Sequence, residues 1–445
     1  MTNVDNRNIL AWGEENQNKL AKLRVAVIGS GNLAQIITAS LAGLGVGYED
    51  LGGAIIAMDN KRLSKRENNI LAKCTLFNEG AEKVYSFKDR IEMIKSRCNY
   101  TPIFSYFSHA MLMQHNPQMI IDATNDPNSK ELAADYCKFE RIPMISASNN
   151  RFKGAITTYF PTNDRNKKSP FKKRDNFDFK NLFHGMYTDD KQFSNTSSVI
   201  SGLVLEELRK YLFKYDNEEE VCFDNNFENL KTFHYNPFNN LKVGFVDSFN
   251  SSNVTYLGDK KALVVGAGAL GNFVALGLAD CGVGKIDIVD FDKIEEHNLN
   301  RQIMLYGKTG EFKATTLAER IMEFNPRINA TAIKGKIGKI EQCDDTWLTK
   351  LYEIESERLR SIGGEDHIAK NKKDFIDKIY SLSGEDRQSG IKLINTEDIL
   401  NEGYNIILGC VDNKFARVWA NEKAVQIGTA YIDGGTGPKE GQLAV

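Results

Sequence analysis

The chain has 445 residues, of which 41% are hydrophobic, with 57 Lys and Arg against 59 Asp and Glu. These are ordinary globular proportions; they exclude a disordered, collagenous or low-complexity chain, and the length suits two large domains or about three average ones. A net charge of -2 argues against a protein whose main work is gripping nucleic acid or an anionic membrane.

No uninterrupted apolar run of about 18 residues is present, so no transmembrane helix is predicted. The opening residues, MTNVDNR, lack an apolar signal core. The seven cysteines form no C-x-x-C pair. That argues against structural zinc or a disulfide framework and for a reducing, cytoplasmic compartment, with the nucleus left open.

Read in order, the chain repeats itself. A leading segment at 7–20 (RNILAWGEENQNKL) is followed by RVAVIGSGNLA at 24–34, which KALVVGAGALG matches at 261–271. Gly29 and Gly31 lie 237 positions before Gly266 and Gly268. GAEK at 80–83 is matched by GEFK at 310–313, an offset of 230. IIDATND at 120–126 is matched by ILGCVDN at 407–413, an offset of 287 that Lys130 and Arg417, and Gly154 and Gly441, keep. Several anchors in one order predict two homologous domains, near 1–245 and 246–445.

The residues between the anchors read as follows. A basic loop occupies 163–175. The stretch 195–213 has the apolar spacing of a packed helix, and 233–249 suggests returning strands. In the second domain, a strand at 262–265, a helix at 269–279 and a strand at 285–289 form a strand–helix–strand unit. The predicted class is α/β: two tandem Rossmann-like domains with mostly parallel sheets. The change of offset after Lys313 locates a charged insertion near 337–398, predicted to be helical and, like the basic loop, solvated. The second copy stops at Val445 inside a strand, so its remainder is either a separate polypeptide or missing from a fragment.

Gly266-x-Gly268-x-x-Gly271 lets the backbone approach a phosphate at a helix N-terminus, where free N–H groups and the helix dipole favour negative charge. Asp290, 19 residues beyond Gly271, suits a ribose hydroxyl. Alone, the pattern says only nucleotide. DFDKIEEHNLNRQ at 290–302 then brings Asn298, Arg301 and Gln302 toward the phosphate end, and Lys313 follows. Asp412 lies just past an apolar strand, at the carboxyl edge where α/β ligands bind. Hydride transfer leaves Arg301, Lys313 and Asp412 unused. Attack of a carboxylate on an α-phosphate needs them, because both reactants are anionic and the barrier is largely repulsion. Fixed cations and a carboxylate-held Mg²⁺ offset it.

GAGALG, DFDKIEEHNLNRQ, GEFKA, VDNKFAR and GGTGPKEG together resemble the motifs of the ThiF/MoeB superfamily, which includes the ubiquitin-activating enzymes. The likeness covers nearly the whole chain, in two copies. It implies a pseudo-dimer that uses ATP and Mg²⁺ to adenylate the C-terminal glycine of a ubiquitin-like or sulfur-carrier protein ending in Gly-Gly, releasing pyrophosphate. It implies Asp290 on the ribose, Asn298, Arg301, Gln302 and Lys313 on the triphosphate, and Asp412 on Mg²⁺. Gly434, Gly435, Thr436 and Gly437 would line the path of the glycine tail.

The first copy resembles the family's inactive subunits. Its third glycine is Ala34, no Arg-Gln pair follows Asp59 although Arg66 is near, and Asn125 stands where Asp412 does; Lys83 is kept. The leading segment is similar to the RQIRLWG…Q..L helix of those subunits, whose arginine reaches the partner's ATP. By that resemblance Arg7 serves the second site in trans, as an arginine finger does. Ubiquitin-activating enzymes also pass the adenylate to a cysteine. Cys281 and Cys410 read as core. Cys343, in the insertion, is a weak candidate nucleophile, beside two aspartates that disfavour a thiolate. The alternatives are a peptide or tRNA acceptor and a non-catalytic nucleotide-binding scaffold; a nicotinamide oxidoreductase ranks last.

Overall fold

Strand β1 (Arg24–Ile28) is apolar and buried along four of its five residues, as a central parallel strand is. It pairs in parallel with β2 (Ala54–Asp59) and β4 (Met119–Asp122). Strand β3 (Tyr100–Phe104) lies beyond β2, and β5 (Met144–Asn149) beyond β4. Strands β6 (Gly154–Tyr159) and β7 (Phe233–Tyr235) extend that edge antiparallel. The resulting seven-stranded order is β3-β2-β1-β4-β5-β6-β7. The computed structural model describes residues 5–65, 67–150, 154–159, 194–213, 233–235, 257–337, 353, 356, 392–394, 402–412, 414–436 and 441–444.

The C-terminal half repeats the plan. Strand β8 (Lys261–Val265) pairs in parallel with β9 (Lys285–Val289) and with β13 (Ile406–Gly409). Strand β10 (Asn329–Ile333) flanks β9, β14 (Ala430–Thr436) flanks β13, and β15 (Gly441–Ala444) closes antiparallel. The order β10-β9-β8-β13-β14-β15 matches the first sheet strand for strand up to its edge. Both sheets therefore reverse direction beside their first strand, and ligands of open α/β sheets bind at such a switch point. A short parallel pair, β11 (Gly335–Ile337) with β12 (Lys392–Ile394), joins the two ends of the predicted insertion. The interior of that insertion, Cys343 and the basic loop at 163–175 lie outside the described residues.

Helices fuse the halves. Helix α1 (Asn6–Lys22) leads into β1 and is broken by Gly13 at φ 81°. Helix α2 (Asn32–Gly43), which follows the first glycine turn, has eleven of its twelve residues buried. It is buried on every side, and its polar Gln35 and Thr38 are hydrogen-bonded inside the protein. Leu33, Ile36, Ile37 and Leu41 are each at most 1% exposed, and burying each contributes about 1.5–3 kcal/mol. Around this sheet stand α3 (Lys88–Ile94), α4 (His109–His115) and α5 (Pro127–Glu140). Helix α6 (Ser194–Phe213) packs on α2, β5 and β6, and also on α7 (Ala269–Cys281) of the other half. The predicted helix at 195–213 thus forms, and it is the central interface element. One hydrophobic cluster runs from Val25 and Ile37 through Ile200 and Val204 to Ala275 and Ile321. The last of these lies on α8 (Lys313–Phe324), and α9 (Lys414–Ile427) covers β13 and β14.

Candidate functional site

The second switch point is built from backbone first. Gly266 leaves β8 at φ 99°, and a Cβ there would meet the Cys410 carbonyl oxygen at 2.7 Å. Only glycine combines that conformation with so close a neighbour. Gly268 caps α7 without any side-chain hydrogen bond, so the first-turn N–H groups face the turn. A Cβ on Gly271 would fall far inside van der Waals contact with the Gly266 carbonyl, so the third glycine seats the helix on the turn.

Asp290, at the end of β9, braces this turn. Its carboxylate accepts from Ala267 N at 2.6 Å and Asp292 N at 2.7 Å. Burial pushes its carboxyl up, while those N–H groups and Lys313 favour the ion. Asn272 does related work that sequence reasoning missed. Its amide donates to the Ala267 and Gly268 carbonyls at 2.9 Å and accepts from Met304 N at 3.0 Å. The signal was available, because Asn272 lies 237 positions after Gln35, whose side chain takes the Ile70 and Leu71 N–H groups.

The loop after Asp290 carries the predicted phosphate-end residues. Asn298 is 5% exposed and closes a capping box with Glu295, its oxygen accepting from Glu295 N at 3.0 Å. Gln302 is buried with its Nε2 3.9 Å from where a Cβ on Gly268 would stand. Its Oε1 has no hydrogen-bond partner. A buried acceptor left unmet costs about 1–3 kcal/mol, which a ligand donor at the turn would recover. Lys313 starts α8, is 7% exposed, and pairs with Asp292 at 2.8 Å.

Arg301 is influenced by two further predicted residues. Burial lowers the pKa of Arg301; Arg7 lowers it further by repulsion, and Asp412 opposes both. Arg7, from the first half, and Asp412, past β13, are exposed. The chain on both sides of Arg7 is tied down. The buried Asp5 carboxylate accepts from Tyr48 Oη and Lys95 Nζ, both at 2.7 Å. Asn8 donates to Leu44 O at 3.2 Å and accepts from Asn300 Nδ2 at 2.7 Å, one residue before Arg301.

Among the described residues, no three His, Cys, Asp or Glu side chains group closely enough to hold a metal ion. Asp412 is an exposed carboxylate, the donor type that Mg²⁺ takes one or two of beside substrate phosphates.

The first switch point has the same frame and a different lining. Gly29 adopts φ 108° against Ala123 O, and Ser30 Oγ donates to Asp59 at 2.6 Å. Lys83 is paired with Glu67 at 2.6 Å. At the offset separating Asp59 from Asp290, the apolar Ile70 and Leu71 stand for Arg301 and Gln302. Asn125 donates to Asn149 O at 2.8 Å, and Arg66 lies outside the described residues.

Two fused Rossmann-type units share one frame, and Arg301 and Gln302 line the second where Ile70 and Leu71 stand in the first. The ThiF family description matches residues 5–248 and again 245–353, and the chain belongs to that family. It is 22% identical over 204 residues to ubiquitin-like modifier-activating enzyme 5 of Dictyostelium discoideum, covering 45% of this chain and 41% of that protein. It is 45% identical over 99 residues to the adenylyltransferase and sulfurtransferase MOCS3-1 of Zea mays, covering 22% of this chain and 20% of that one. The chain thus spans less than half the length of either relative. A solved structure of E. coli MccB with ATP overlays 45% of this chain and 59% of its own, at 18% identity and a TM-score of 0.34. Among the described residues, no helix is long and apolar enough to cross a membrane.

Proposed function

We propose that this chain is an activating enzyme that adenylates the C-terminal glycine of a ubiquitin-like or sulfur-carrier protein ending in Gly-Gly, with ATP and Mg²⁺. In this reading the halves divide near residue 245 and chemistry occurs only at the second switch point. The acceptor carboxylate attacks the α-phosphorus, forming the acyl–phosphate bond. The bond to the β-phosphate oxygen breaks, and pyrophosphate leaves with the electron pair. The observation that carries the reading is the loop after Asp290: its Gln302 reaches the glycine turn, its Asp292 holds Lys313, and its Arg301 feels the charges of both Arg7 and Asp412.

The roles follow from placement. The turn and the N-terminus of α7 receive phosphate, and Asp290 keeps acceptor capacity for ribose hydroxyls beyond its two backbone bonds. Arg301, Lys313 and Arg7 stabilise charge that develops on the phosphates; Asp412 would hold Mg²⁺, which would supply further charge neutralisation. Lys313 must first exchange its Asp292 partner for phosphate, a small rearrangement at a carboxylate that is 49% exposed.

The test is isotope exchange between pyrophosphate and ATP, with a panel of purified ubiquitin-like and sulfur-carrier proteins as acceptors. Exchange is expected with an acceptor ending in Gly-Gly, and is lost in Lys313→Ala and Asp412→Ala. Exchange at native rates in both variants removes the residue assignments, and ATP binding without AMP formation across the panel favours a non-catalytic nucleotide-binding protein.

A further inference from the structure

Arg417, on α9, bonds to both stretches of backbone that frame the second switch point. Its Nε and Nη2 donate to the Val411 carbonyl at 2.9 and 2.7 Å. Its Nη1 donates to the Asp433 carboxylate at 2.9 Å, and Nη2 also reaches Gly434 O at 3.1 Å. Val411 immediately precedes Asp412, and Gly434 opens the glycine stretch on β14. The other Asp433 oxygen accepts from Tyr431 Oη at 3.1 Å.

Two glycines make room for this cluster. A Cβ on Gly435 would stand 2.9 Å from Arg417 Nη1, and one on Gly409 would collide with Asp433 and Tyr431. Gly435 is therefore accounted for by the guanidinium beneath it, independently of any tail above.

The first half solves the same position differently. At the offset of 287, Asp122, Lys130, Met144 and Ser146 stand for Gly409, Arg417, Tyr431 and Asp433. Lys130 is fully buried and bonds to Asp122 at 2.6 Å, Ser146 Oγ at 3.1 Å and Ala147 O at 2.9 Å. Ala147 corresponds to Gly434. In the second half the carboxylate has moved one strand over, and the ammonium has become a fork. A guanidinium offers five donors in a fixed plane and can hold two carbonyls and a carboxylate at once, where an ammonium is a compact point charge.

We infer that Arg417 is a positioning residue: held by Asp433, it locks the Asp412 loop to the Gly434 backbone, so that one side chain registers the nucleotide end of the site with the strand beside it. Its link to catalysis rests on the adenylation reading; the lock itself does not.

The test compares the full native chain, Arg417→Lys, and a quadruple exchange that installs the first half's set (Gly409→Asp, Arg417→Lys, Tyr431→Met, Asp433→Ser). Thermal melting reports folding, calorimetry with ATP reports affinity with and without MgCl₂, and hydrogen–deuterium exchange reports residues 410–412 and 430–436. In Arg417→Lys, ATP affinity without Mg²⁺ holds, while the gain on adding Mg²⁺ shrinks about tenfold, the worth of one lost charge-assisted hydrogen bond. Amide exchange in both segments accelerates, and in 262–265 it does not. The quadruple variant melts close to the native protein, because its side chains already pack together in the first half, and shows the same two losses. Native Mg²⁺ dependence and native exchange rates in Arg417→Lys overturn the proposal. If the native chain shows no Mg²⁺-dependent ATP binding, the adenylation reading falls instead, and amide exchange alone decides whether Arg417 locks the loop.

Discussion

Asn300 donates from Nδ2 to Asn8 Oδ1 at 2.7 Å, a buried bond between residues 292 positions apart that joins the first half's leading helix to the second half's loop. Arg7 and Arg301 are the immediate neighbours of this pair. Burial first, and then the charge of Arg7, lower the pKa of Arg301, while Asp412 opposes both. On the adenylation reading, a phosphate at Arg301 would relieve the unfavourable part of that environment.

Arg7→Ala is expected to lower the rate of adenylate formation by about 10³-fold, as loss of an arginine finger does, while ATP affinity falls much less. Asn300→Ala leaves Asn8 buried with an unmet oxygen, costs about 1–3 kcal/mol and lowers the rate in the same direction. Single-turnover kinetics beside equilibrium ATP binding separate the two effects. Full activity in a chain beginning after residue 10 would remove the role across the halves.

Gly271→Ala is expected to be disruptive even though Ala34 holds the matching place in the first half. The new Cβ would press on the Gly266 carbonyl, which is backbone and cannot rotate away. Overpacking of this kind costs about 1–3 kcal/mol, and because the displaced atoms form the phosphate turn, ATP affinity falls with stability. Ala34→Gly in the first half is expected to leave ATP affinity unchanged. Denaturant titration and calorimetry on both variants check this; equal effects would deny the division of labour between the turns.

The frame of this site was legible in the sequence because it is local. Glycines at a strand end, Asp290 at the next strand end and Lys313 at a helix start are placed by segments of a few residues. The helix at 194–213 was legible from its apolar spacing, but its position between the halves was not, since spacing does not name the partner surface. Arg7 could be assigned only through family resemblance. Its placement depends on Asp5, Lys95, Tyr48, Asn8 and Asn300, which meet across long sequence separations. The Arg417 cluster was hidden for the same reason, although the offset of 287 had already paired Arg417 with Lys130.

Glu207, on α6, is 3% exposed, and burial pushes its carboxyl up to about 7 against the opposing pull of Lys210. The folded chain then holds a proton that the unfolded chain releases near the ordinary carboxylate value. Stability therefore falls as pH rises from about 4.5 through about 7 and stays low above it, by up to about 3 kcal/mol. Glu207→Gln is expected to flatten that slope and to melt higher than the native chain at pH 8, with little difference at pH 5. Melting curves at the two pH values decide; an unchanged slope in the variant would place the titration elsewhere.

Lys130 and Asp122 are both completely buried, 2.6 Å apart, and burial lowers the lysine pKa while the aspartate raises it. Removing one partner strands the other charge, so Asp122→Ala is expected to cost about 3–5 kcal/mol. Removing both charges together restores much of this, because a buried pair gains little over apolar packing once desolvation is counted. Asp122→Ala with Lys130→Met is thus expected to be more stable than Asp122→Ala alone in urea titration. The pair lies in the half assigned no chemistry, so the double variant should also bind ATP as the native chain does. A double variant as unstable as the single one would mean that the ion pair specifies the local fold and does more than fill space, and a loss of ATP affinity would give the first switch point a part in nucleotide binding.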